Sequence, residues 1–109
     1  MFTKIAIDLA NSSESEIIYH GQTVRNSADE FVVNIVWTVN NANTGYIEVI
    51  AIFSEQETEA WDVVATIPIN ATSGRQTVYS DIDCVGIKIK YVKTGSAIGT
   101  ATAHVKTTD

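Results

Sequence analysis

The chain has 109 residues, 45% of them hydrophobic, and a net charge of −6; this is enough for one core-forming domain and argues against general nucleic-acid binding, which needs lysine and arginine along the phosphates. Its single cysteine, Cys84, excludes an intrachain disulfide framework and suits folding in a reducing cytoplasm; the residue is expected to be a half-buried small apolar group rather than a reactive thiol. The opening MFTKIAIDLA holds one lysine and too short an apolar run for a secretory signal, and no stretch nears the ~18 to 20 apolar residues of a membrane-spanning helix, so neither a leader nor a membrane partner is expected.

Period-two alternation marks the apolar segments as half-buried strands. The first runs from Lys4 to Leu9 with Ile5, Ile7 and Leu9 inward, followed by Glu16 to His20 and Thr23 to Arg25 around Gly21. In NSADE, Ser27 and Glu30 have capping-box spacing. The FVVNIVWTVN that follows is nonetheless β-branched and aromatic at period two, so a strand is predicted there rather than a helix. Phe31, Val33, Ile35, Trp37 and Val39 share its inner face, and Asn34, Thr38 and Asn40 its outer one. Further strands are predicted over Tyr46 to Phe53, Ala60 to Ile67, Thr77 to Ser80, Val85 to Lys93 and Ala97 to Lys106. Trp61, in phase with Val63, Ala65 and Ile67, is expected in the core. SEQETEA at 54–60 reads as a solvated acidic loop, and NNANTG at 40–45, NATSGR at 70–75 and TGS at 94–96 as turns.

About eight short strands without room for crossover helices predict a single all-β domain over 1–109, an antiparallel sandwich of jelly-roll-like or immunoglobulin-like form, with a small barrel as the other closure. The last two strands are expected to form a hairpin through Thr94-Gly95-Ser96, with Val85, Ile87, Ile89 and Tyr91 inward on one arm and Ala97, Gly99, Ala101, Ala103 and Val105 on the other. Small inward residues require a large neighbour, and Trp37 or Trp61 on the facing sheet is the expected one. Charge is divided along the chain: residues 1–84 hold twelve acids against Lys4, Arg25 and Arg75, a balance of −9, whereas 85–109 hold Lys88, Lys90, Lys93 and Lys106 against Asp109, a balance of +3. That basic hairpin, with His104 on its outer side, is the expected interface; its lysines also guard an edge strand against uncontrolled pairing.

Catalytic and metal chemistry find little support. His20 and His104 have no second histidine or cysteine at ligand spacing, no nucleophile motif accompanies them, and the glycines are too scattered for a phosphate loop. Glu55, Glu57, Glu59 and Asp62, and the pair Asp81 and Asp83, lack the glycine-punctuated spacing of a calcium loop, and solvated acids are expected. No enzyme, metal or cofactor is expected. The aromatics Trp37, Trp61, Tyr19, Tyr46, Tyr79 and Tyr91 leave a carbohydrate- or receptor-binding module as an alternative, provided some of them are exposed.

From Glu59 to Lys106 the chain carries a W-x-x-V strand (Trp61 to Val64), a polar loop (Asn70 to Arg75), an aromatic followed by an acidic-glycine turn (Tyr79 to Gly86), an alternating basic strand (Ile87 to Lys93), and TGS with an alanine/threonine/valine strand (Thr94 to Val105). In this it resembles small β-sandwich virion proteins of tailed bacteriophages. The resemblance implies a non-enzymatic structural protein. A capsid decoration (cement) protein binding the shell exterior at subunit joints is expected first, and a tail, baseplate or head-fibre module second. Met1 running directly into a strand is expected of a stand-alone protein. The implied partners are capsid or tail subunits and further copies of the chain, and the implied location is the virion.

Overall fold

In the computed structural model the residues described are 2–19, 31–42, 44–53, 61–80 and 84–107. Among them run nine strands and no helix: β1 (Phe2–Asp8), β2 (Ser13–Glu14), β3 (Ile18–Tyr19), β4 (Phe31–Val39), β5 (Gly45–Ile52), β6 (Trp61–Pro68), β7 (Ser73–Ser80), β8 (Gly86–Lys93) and β9 (Gly99–Thr107). β2 and β3 lie end to end along β8, with Glu14 opposite Lys90 and Ile18 opposite Ile87, so the nine segments occupy eight strand positions; the predicted Glu16 to His20 strand contains β3 but not β2. Between them the Ile89 amide donates to the Ser15 hydroxyl at 2.9 Å and the Ser15 amide to the Ile89 carbonyl at 2.8 Å, a side chain standing in for one ladder bond.

The strands form a four-stranded sheet, β1-β9-β4-β7, and a second sheet in the order β2-β8-β5-β6 with β3 also on β8, all pairs antiparallel. β1 pairs with β9, β2 and β3 with β8, β4 with β7, and β5 with β6, as though one long hairpin had been rolled up. The predicted all-β sandwich is therefore present, and its winding is that of a jelly roll.

The core lies between the sheets. Phe31, Val33, Ile35, Trp37 and Val39 of β4 are all buried, as their alternation requires, and face Ile47, Val49 and Ala51 of β5 and Ile87, Ile89 and Tyr91 of β8. Ile7, Leu9, Ala101, Ala103 and Val105 also belong to it, with Ile18, Ile67, Ile69, Ala97 and buried Cys84. Trp37 is not supplied by a facing sheet. It stands between Ala101 of β9 and Gly74 of β7 in its own sheet, and its indole N–H donates to the Ala71 carbonyl at 3.0 Å. A β-carbon at Gly74 would collide with the indole, so small residues on both neighbouring strands make room for one large ring. That contact also draws 73–75, expected to be a turn, into β7.

The expected terminal hairpin is absent. β8 and β9 belong to different sheets, and residues 94–98 carry the chain across the end of the sandwich. Thr94 and Gly95 donate to the Thr44 carbonyl at 2.9 and 3.0 Å, while Ile98 exchanges bonds with Asn40, its amide to Oδ1 at 2.8 Å and its carbonyl from the Asn40 amide at 3.1 Å. Alternation specifies which side of a strand faces the core, and a hairpin and a pair of facing strands satisfy it equally. Tyr91 ties the same end together: its hydroxyl lies 2.9 Å from the Leu9 carbonyl, 3.3 Å from that of Thr44 and 3.5 Å from the Thr44 hydroxyl.

Trp61 is the second correction. The β5–β6 register shifts between Val49 and Ile50: Ala65 lies opposite Val49, but Val63 lies opposite Ile50, which makes Val64 the extra residue of a bulge. Beyond it the phase reverses, and Trp61, paired with Ile52, turns to the outer face and is 51% exposed. The expectations concerning His20, Gly21, Thr23 to Arg25, Ser27, Glu30, the 54–60 loop, and Asp81 and Asp83 lie outside the described residues.

Candidate interaction faces

A jelly roll buries the inner side of each sheet and leaves two outer faces. On the four-stranded sheet, residues paired in register project together in cross-strand rows. One row is Phe2, Lys106, Val32 and Tyr79; the next is Lys4, His104, Asn34 and Thr77; then come Ala6, Thr102, Val36 and Arg75, and finally Asp8, Thr100, Thr38 and Ser73. Phe2 and Tyr79 are 76% and 77% exposed, at opposite ends of the first row. The Lys106 ammonium lies 5.6 Å from the centre of the Phe2 ring, within cation–π range, and Asn34 donates its amide to the Thr77 hydroxyl at 2.8 Å. Among the described residues the face holds Lys4, Arg75 and Lys106 against Asp8, three full positive charges to one negative, in a chain of net charge −6. No carboxylate among the described residues pairs with those three cations.

The outer face of the other sheet differs in kind. Lys90 stands opposite Glu14 on one side and Glu48 on the other, and Lys88 forms an ion pair with Glu14. The hydrogen bond from Lys88 holds the Glu14 carboxyl below its ordinary range; desolvation opposes it, and the charges of Lys88 and Lys90 add to the lowering. Among the described residues of β2, β5 and β8 the two lysines of this face are matched by two glutamates. Between them Ile50 and Ile52 occupy the outer side of β5 yet are only 6% and 8% exposed, and with Trp61 they line a groove of about 200 Å³.

The structure therefore divides the residues expected to form one basic interface. Lys88 and Lys90 lie on one outer face, largely neutralised; His104 and Lys106 lie on the other; and Lys93, exposed at the end of β8, donates its backbone amide to the Ser12 hydroxyl at 2.9 Å. The predicted interface does not include Phe2, Lys4, Arg75 or Tyr79. Lys4 and Tyr79 have the phase to point outward, whereas Phe2 lies before the predicted first strand and Arg75 in a predicted turn, and nothing short of the strand order brings β1 and β7 to the sheet that carries β9. Among the described residues no three histidine, cysteine, aspartate or glutamate side chains gather as a metal ion would require.

No family model matches the chain, and no curated protein matches it. Among solved structures it is similar to a protein of Bacillus endospore appendages, described as disulfide-linked pili, with 19% identity and a TM-score of 0.40 over 100% of this chain and 88% of that one. It is also similar to the SPBc2 prophage-derived protein YomS, with 12% identity and a TM-score of 0.46 over 97% of this chain and 96% of that one. Neither is similar enough to transfer a role.

Proposed function

We propose that this chain is a non-enzymatic structural subunit of a bacteriophage virion, made in the host cytoplasm, that decorates the capsid exterior and docks through the outer face of its four-stranded sheet. The observation that carries this proposal is the charge of that face. An acidic chain concentrates Lys4, Arg75 and Lys106 on one sheet face with exposed aromatics at the two ends of its first row, an arrangement suited to an acidic protein surface. Capsid subunits are the proposed partners, and contacts between copies meet the same electrostatic requirement because the rest of each copy is acidic. A decoration protein acts by the sum of many modest contacts across subunit joints, so each face needs only moderate affinity.

Purified particles test this directly. The chain should occur at fixed, high stoichiometry with the head fraction, and stripped shells should rebind it in a salt-sensitive way. Reversing Lys4 and Lys106 to glutamate should lower occupancy at least about tenfold, the order expected of like charges placed across an interface. Replacing Lys88 and Lys90 by glutamine should leave occupancy unchanged, since they lie on the opposite outer face. Occupancy insensitive to Lys4 and Lys106 would eliminate the docking face, and recovery in the tail fraction would move the protein to a tail or baseplate position.

A further inference from the structure

On the opposite side of the molecule, the groove beneath Trp61 is built for a different kind of ligand. We infer that it is a binding site for a neutral oligosaccharide, with the Trp61 indole as its stacking platform. A pyranose presents an apolar C–H face and a rim of hydroxyls that both donate and accept, so its recognition needs a flat aromatic surface beside balanced donors and acceptors.

The groove has each of these. The bulge at Val64 turns Trp61 outward, and its ring remains half exposed over the apolar floor of Ile50 and Ile52. Lys88 and Lys90 supply ammonium donors to the wall, and Glu14 and Glu48 supply carboxylate acceptors. Among the described residues lining the groove itself these four charges balance, which disfavours a phosphate through the carboxylates and a cation through the lysines while leaving hydrogen-bonding capacity to a neutral ligand; Glu16, in the adjoining depression, adds a further acceptor. A shallower depression lined by Glu14, Ser15, Glu16, Ile17 and Lys88 adjoins the groove through the residues they share. The site therefore continues past a single ring, as an oligosaccharide requires. Bulges are devices for re-aiming a side chain, and here the re-aimed residue is the one aromatic among the described residues of the groove.

The test uses the intact chain with maltopentaose, cellopentaose, chitopentaose and mannopentaose, each to about 10 mM, a range that captures weak single-site binding. At least one should shift the tryptophan emission and perturb the backbone amide resonances of Ile50, Ile52, Lys88 and Lys90. Trp61→Ala should weaken that binding at least about tenfold, Trp61→Phe should retain part of it, and Glu48→Gln should weaken it about threefold or more. Trp37 is buried, so the fluorescence response should vanish with Trp61 alone. Glu48→Gln alters an outer-face residue of β5 and keeps the test decisive if Trp61→Ala proves unstable. The inference is overturned if none of the four binds, if the perturbed amides lie on the four-stranded sheet, if Trp61→Ala binds as the parent does, or if the groove takes a peptide and no sugar. Each of these results is independent of capsid occupancy, which reads out the other face.

Discussion

Replacing Tyr91 by phenylalanine removes one oxygen from the best-sealed end of the sandwich. A phenol has one proton, and the Leu9 carbonyl at 2.9 Å is its closest acceptor; the Thr44 carbonyl at 3.3 Å already receives the Thr94 and Gly95 amides. The variant thus takes the phenol from Leu9 and an acceptor from the Thr44 hydroxyl, in a site where Tyr91 and Thr44 are both buried. Unmatched buried polar groups cost about 1–3 kcal/mol, with almost no change in packed volume to offset it. Spread over the unfolding entropy of a domain of this length, that loss lowers the melting temperature by about 4–12 °C. Urea unfolding followed by tryptophan fluorescence should show the midpoint fall with an unchanged slope. Tyr79→Phe, on the exposed outer face, should remain within about 0.5 kcal/mol of the parent. If Tyr91→Phe matched that control, the hydroxyl would not be joining β8 to the β1–β2 and β4–β5 connections.

Gly74→Ala should destabilise by about 1–3 kcal/mol in the same assay, because the new methyl collides with the Trp37 ring; Trp37→Ala, which empties that space, should cost about 3–5 kcal/mol. The depressed carboxyl of Glu14 contributes stability above the ordinary carboxylate range that is lost as pH falls through its lowered folded-state value. Because Glu14 is half exposed, Glu14→Gln should remove less than about 1 kcal/mol near neutral pH, with the gap to the parent closing in acid; melting curves from pH 7 downward, about four units, check the sign. Buried Cys84 should resist an aromatic disulfide reagent in the native protein and react promptly in denaturant.

Much of the fold was legible because the inner residues of β4, β8 and β9 alternate without interruption, and burial follows parity alone. Pairing was not legible, since parity assigns a residue to a side of its strand and says nothing of the neighbour. The apparent terminal hairpin is therefore two strands in opposite layers, and the basic cluster drawn from it separates onto two faces. Trp61 escaped for a related reason. One inserted residue, Val64, reverses the phase of everything before it, and a valine in a run of apolar residues leaves no mark of a bulge in composition or turn chemistry. The basic face was hidden more deeply, because Lys4, Arg75 and Lys106 are distant in sequence and meet only through the winding of the roll.

The adjacency of β1 and β9 has a mechanical corollary. Phe2 lies opposite Lys106, so tension applied between these two strand ends would open the seam from that rim, parting cross-strand bonds in succession like a zipper. Tension applied along β4, which is flanked on both sides by β9 and β7, would instead have to shear many bonds at once. A protein of this design resists forces passing through the middle of its sheet and yields to those that tug its first and last strands apart.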